Sequence, residues 1–242
     1  MQKPLPPVDD VLCAGGTLSV PQLSVPARVW RFAEMALLYG AAPFAVDRAV
    51  HSENIPVFVA LLPVLAIILM FLVLDRTFSL TRELSRGFSL RQLFYILVTF
   101  AVGGGIVATY VSMYHPDLFL EFPRNRPDTY LRIMLLYPLM SVAVQELVYR
   151  TFYFHRYGML FGNAWWLAIL LNGVLFGLGH IVIGTPLAVY GTMLTGALFA
   201  WRYVMTRSFW AVFLEHTLWG GLVFTVGLGR YFFTGVGILS WR

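Results

Sequence analysis

Residues 55–74 read IPVFVALLPVLAIILMFLVL, twenty positions without a charged side chain. At 1.5 Å per residue a helix of that length is about 30 Å long, which is the depth of a bilayer's hydrocarbon core. In lipid only helices and closed barrels satisfy every backbone N–H and C=O. The stretch shows no ten-residue alternation of a barrel strand, so it reads as a spanning helix. Working outward, the apolar segments 30–46, 91–113, 130–160, 164–183, 187–205 and 208–229 read the same way. Segment 30–46 is interrupted by Glu34 and Pro43. The expectation is an all-α, multi-pass transmembrane helix bundle of about seven spans.

Composition agrees. Of 242 residues, 59% are hydrophobic and 12% charged, and the mean hydropathy is +0.73. Soluble domains carry about 25% charge, so a water-soluble enzyme, a disordered chain and a nucleic-acid module are all disfavoured. The net charge of +5 fits the positive-inside bias and points to the lipid bilayer as partner, with no nucleic acid. With seven spans, eleven Lys and Arg fall on the N-terminal side and six on the other, which predicts a cytoplasmic N-terminus. A single Cys13 rules out an internal disulfide. Residues 1–27 are rich in Pro, Gly and Ser and lack a signal-peptide pattern, so they read as a flexible tail. The loop 114–129 separates a three-span front part (28–128) from a four-span back part (129–242).

From residue 129 onward the only acidic residues are Glu146 and Glu215, both inside apolar segments. An ionisable group at bilayer depth costs a few kcal/mol and marks a site or a partner. The same half holds His180 and His216 within such segments. Glu146 and Arg150 stand at i, i+4, the spacing of an intrahelical ion pair. If the helix carrying Glu146 runs to Gly162, Glu146 lies sixteen residues before the turn and His180 eighteen after it, at similar depth in a hairpin. Gly173 and Gly177 give the second helix of that hairpin a smooth face. Taken singly these residues have plain readings: a structural ion pair for Glu146–Arg150, an interfacial role for His180, and a polar pair for Glu215–His216. Arg202 and Arg207 suit snorkelling. His51, His115 and His155 read as loop or interface residues.

Taken in order, QELVYR (145–150), FGLGH (176–180) and HTLWG (216–220) resemble the three motifs of the CPBP family. That family comprises the CAAX-prenyl proteases of the Ras-converting type and their bacterial bacteriocin-processing and abortive-infection relatives. Its pattern is two adjacent glutamates with Arg four after the second, then Phe-x-x-x-His, then His-x-x-x-Asn or a similar small or polar residue. The resemblance implies that 129–242 is a four-helix catalytic core of an intramembrane endopeptidase. It also implies a multi-pass protein of a bacterial plasma membrane acting on a membrane-embedded or lipidated peptide or protein. In the family the first Glu activates water, the second pairs with the Arg, and the two His and the Asn bind or polarise the substrate carbonyl. Glu146 and Arg150 match the second Glu and the Arg, His180 the second motif, and His216 the third.

Two positions depart: the first Glu is Gln145 and the Asn is Gly220. A Gln amide takes no proton at neutral pH, which leaves Glu146 or Glu215 as the base of a hydrolase. Glu215 adjoins a motif histidine and has no Arg four residues away. No cofactor is expected, although His180, His216 and Glu146 would make a His₂Glu zinc set. The alternatives are a catalytically inactive immunity or scaffold protein of the same ancestry, favoured by Gln145 and Gly220, and a small transporter. Buried Glu and His suit the transporter, but the chain lacks paired broken helices in inverted repeat.

Overall fold

The computed structural model describes residues 23–232. Cys13 and nearly all of the expected tail of 1–27 lie outside the described residues. Among those described there are helices and turns and no strand. Helix α1 (25–53) leads into α2 (Val57–Leu74), which takes up all but the first two residues of the chargeless run 55–74. The short α3 (Leu80–Ser85) then precedes α4 (Leu90–Tyr114), which starts with a reciprocal capping box between Ser89 and Gln92. After α5 (Glu121–Asn125) come α6 (127–160), α7 (Trp165–Leu178), α8 (Pro186–Thr206) and α9 (Phe209–Thr225). Thr185 and Ser208 cap α8 and α9 through their hydroxyls.

This is an integral membrane protein. Among the described residues four stretches are long and apolar enough to cross a bilayer: Val57–Leu74, Leu90–Tyr114, Pro127–Leu160 and Trp165–Ile183. The other expected segments, 30–46, 187–205 and 208–229, lie mainly on α1, α8 and α9. The two features that interrupt 30–46 both have a structural partner. A π turn at Ala36–Ala41 comes just before Pro43, so the helix absorbs the proline and continues. Glu34 is buried in a fork with Arg156, with both N···O distances 2.8 Å, and also accepts the Tyr157 hydroxyl at 2.8 Å. That contact ties α1 to the C-terminal end of α6.

The back half packs around α7. Residues 161–164 make the turn after α6, with Gly162 at φ +50°, a conformation that glycine adopts without penalty. Gly173 meets α8 so closely that a Cβ there would lie 2.8 Å from the Met193 carbonyl oxygen and 2.9 Å from the Ala197 nitrogen. A Cβ on Gly177 would strike Met193. Small residues thus bring the two helices near backbone contact. The α3 segment is anchored to the same half: buried Glu83 accepts hydrogen bonds from Tyr203 on α8 and Thr151 on α6.

Candidate active site

Helix α6 supplies the first elements of the site, and it is not a uniform α-helix. A π turn covers Pro138–Val142, one α turn covers Ala143–Glu146, and a second π turn covers Leu147–Phe152. A π turn displaces the i to i−4 ladder and exposes carbonyls that other groups must satisfy. Tyr39 on α1 donates to the Val148 carbonyl at 2.6 Å, and Asn172 on α7 donates to the Tyr149 carbonyl at 2.7 Å. Those contacts hold the widened turn that follows Glu146 and carries Arg150.

Glu146 has no solvent exposure. Its Oε1 accepts from His216 Nδ1 at 2.7 Å, and its Oε2 lies 3.4 Å from Arg150 Nε. The intrahelical pair expected from spacing is therefore present, and a histidine from α9 completes it. Arg150 is equally buried. Its guanidinium donates to the Gly196 carbonyl at 3.3 Å and sits 4.6 Å from the Phe176 ring centre and 5.6 Å from that of Phe199. Gly196 leaves room for this arrangement, since a Cβ there would meet Phe176 at 2.8 Å. A buried charge needs such partners, because desolvating an ion costs several kcal/mol.

His216 stacks on Phe199 at 4.7 Å and meets the edge of Phe176 at 5.6 Å. With Nδ1 donating to the carboxylate, Nε2 carries the lone pair, and the Tyr137 hydroxyl lies 3.2 Å from it. His180 touches the same aromatic wall, 4.7 Å from Phe176. Its Nδ1 bonds the Phe176 carbonyl at 2.7 Å. A carbonyl only accepts, so Nδ1 holds the proton and Nε2 is a lone pair without a partner among the described residues. Gln145 donates through Nε2 to Ser141 at 2.7 Å, and its Oε1 is buried with no hydrogen-bond partner among the described residues.

Glu215, the other candidate base, stands elsewhere in the bundle. Arg202 on α8 grips it in a fork, 2.8 Å at Oε2 and 3.0 Å at Oε1, and Thr99 on α4 adds a bond of 3.2 Å. Arg202 is 3% exposed and does not snorkel. The bidentate guanidinium and Thr99 together occupy both carboxylate oxygens of Glu215. Its partner is not at i+4 on its own helix but comes from the neighbouring one. Among the described residues no group of three or more His, Cys, Asp or Glu side chains is placed to hold a metal. Neither Tyr137 nor Asn172 stood out in the sequence: Tyr137 reaches His216 across to α9, and Asn172 serves a carbonyl that a π turn frees, contacts that a 3.6-residue period does not reveal.

The structure thus gathers a buried carboxylate, an ion-paired arginine and two histidines against the aromatic walls of Phe176 and Phe199. Residues 127–222 match the family model described as Type II CAAX prenyl endopeptidase Rce1-like. The match lies in the back half of the chain, and it agrees with the CPBP resemblance of the three motifs there. Comparisons with curated proteins and with solved structures gave no match.

Proposed function

We propose that the protein is an intramembrane endopeptidase in which Glu146, acting through His216, activates the water that cleaves a membrane-embedded or lipidated protein substrate. The observation that carries this reading is the 2.7 Å bond between Glu146 Oε1 and His216 Nδ1, both side chains being buried. Carboxylate and imidazole so joined share the work that a glutamate alone would do. The carboxylate fixes the tautomer that leaves Nε2 basic, and it stabilises the imidazolium that forms when Nε2 takes a proton. Arg150 holds the carboxylate in place from the other side. The lone pair at His180 Nε2 and the carbonyl oxygen of Gln145 are acceptors suited to the second hydrogen of that water. This gives Gln145 a positioning role that needs no proton transfer. Apolar walls of Phe176 and Phe199 keep the electrostatics strong, since charges interact more in a dry site.

The chemistry balances with one water. Its oxygen bonds to the scissile carbonyl carbon as one proton passes to His216 Nε2. The C–N bond then breaks, and the same proton goes to the leaving nitrogen. The products are a carboxyl terminus and an amine, and no metal is required. Glu215 serves packing through Arg202.

The test compares membrane proteomes of cells carrying the intact chain, His216→Ala, Glu146→Gln and His180→Ala. Uncut precursors should accumulate in all three variant strains. If the His216→Ala and Glu146→Gln strains process the same proteins as the intact chain, the protein is a binder and not a protease.

A further inference from the structure

The position four residues after His216 is Gly220, which brings no side chain to the site. The space beside it is not empty. A Cβ built on Gly220 would strike the Tyr137 hydroxyl and lie 2.5 Å from Tyr137 Cε1 and 2.6 Å from Cζ. The tyrosine from α6 therefore occupies the volume that any larger residue at 220 would need. Its ring is steadied edge-on by Phe224 at 5.4 Å and by His216 at 6.3 Å. Its hydroxyl lies 3.2 Å from His216 Nε2, the working end of the Glu146–His216 pair.

The geometry points to Tyr137 as a catalytic hydrogen-bond donor that polarises the scissile carbonyl, taking the role that the side chain missing at Gly220 would otherwise fill. This rests on the endopeptidase reading above. With His216 Nδ1 donating to Glu146, Nε2 accepts, so in the resting site the phenol O–H points at Nε2. A bond of 3.2 Å is long for an O–H donor. When a peptide carbonyl enters, rotation about Cζ–O turns that O–H to the carbonyl oxygen and frees Nε2 for the water. As the water oxygen bonds to carbon, the carbonyl π pair moves onto oxygen, and the phenol hydrogen bond strengthens with the growing negative charge. Tyr137 keeps its proton throughout; the water proton alone is transferred, to Nε2. A donor whose bond is strongest in the transition state lowers the barrier of the chemical step and not merely the cost of binding.

Gly220 and Tyr137 then form an exchangeable pair, which gives the test. Pulse-chase conversion of the precursors that accumulate in the His216→Ala strain is followed in cells expressing full-length variants. Tyr137→Phe keeps the ring and removes the hydroxyl, and it should slow conversion about 10²- to 10³-fold, the usual effect of losing one oxyanion donor. Its thermal midpoint in detergent should stay within a few degrees of the parent. Tyr137→Ala should be as slow, and adding Gly220→Asn, whose amide enters the vacated space, should recover at least about tenfold. A purely structural tyrosine would give no such recovery. Conversion by Tyr137→Phe at the parental rate, with His216→Ala dead, overturns the role of Tyr137 and leaves the protease reading standing. Failure of Gly220→Asn to improve on Tyr137→Ala also overturns it. Parental conversion by His216→Ala overturns the protease reading itself.

Discussion

Replacing Arg150 by Met keeps roughly the same volume but strips Glu146 of its cation. Both side chains have 0% exposure, and the guanidinium also serves the Gly196 carbonyl and the faces of Phe176 and Phe199. Removing one member of a buried pair costs about 3–5 kcal/mol, because the remaining charge stays desolvated. For a chain of this size each kcal/mol moves the unfolding midpoint by about 2–4 °C, so the expected fall is roughly 6–20 °C. The second variant separates charge from packing. In Arg150→Met with Glu146→Gln no naked carboxylate remains, and most of the loss should return, since an apolar replacement of a whole buried pair is often near neutral. The assay is thermal unfolding of detergent-purified protein followed by tryptophan fluorescence. A drop under about 3 °C for the single variant, or a double variant no more stable than the single, would refute the claim that Arg150 is there to neutralise Glu146.

Glu215→Gln should lose stability on the same scale of about 3–5 kcal/mol, because it abandons buried Arg202, while cleavage per folded molecule stays near the parent; a folded variant without activity would return Glu215 to the site. Gly173→Val should cost about 1–3 kcal/mol by pushing α7 from the α8 backbone, whereas Gly105→Ala, with open space around its Cβ, should be neutral or slightly stabilising in the same melt. At the end of α2, burial would raise the Asp75 carboxyl, but hydrogen bonds from Thr77 and His155 outweigh it and hold the group below the usual carboxylate range. Its stabilising effect is thus complete above the unfolded value of about 3.9 and fades as pH falls through the lower folded one. Asp75→Asn should flatten that acid limb of the midpoint-versus-pH curve. Cleavage should survive strong chelators, and metal analysis of active protein should find no stoichiometric zinc; loss of activity that zinc restores would refute the metal-free mechanism.

Much of this site was legible before any coordinates. Membrane residence followed from residues 55–74, because a chargeless run of that length has few other stable environments. Glu146 and Arg150 were legible as a pair because both lie on one helix. The reading stopped where contacts run between helices. Glu34 looked like a flaw in a span, yet Arg156 and Tyr157, more than a hundred residues later, bury and neutralise it. Arg202 looked like a snorkelling cation and is the fork that holds Glu215. Depth arithmetic compared Glu146 with His180, whereas the histidine that bonds Glu146 is His216.

The sequence by itself determined the solvent, the helical class, the order of the motifs and the two departures at Gln145 and Gly220. Composition and local periodicity are properties of the chain, and lipid enforces them residue by residue. Tertiary structure alone decided which carboxylate meets a histidine and which is locked to an arginine. It alone decided that Tyr137 fills the space beside Gly220. The physical reason lies in α6: two π turns shift the faces of that helix away from the 3.6-residue period, so the side chains that converge are set by the ladder's defects and by the helices that pack against them.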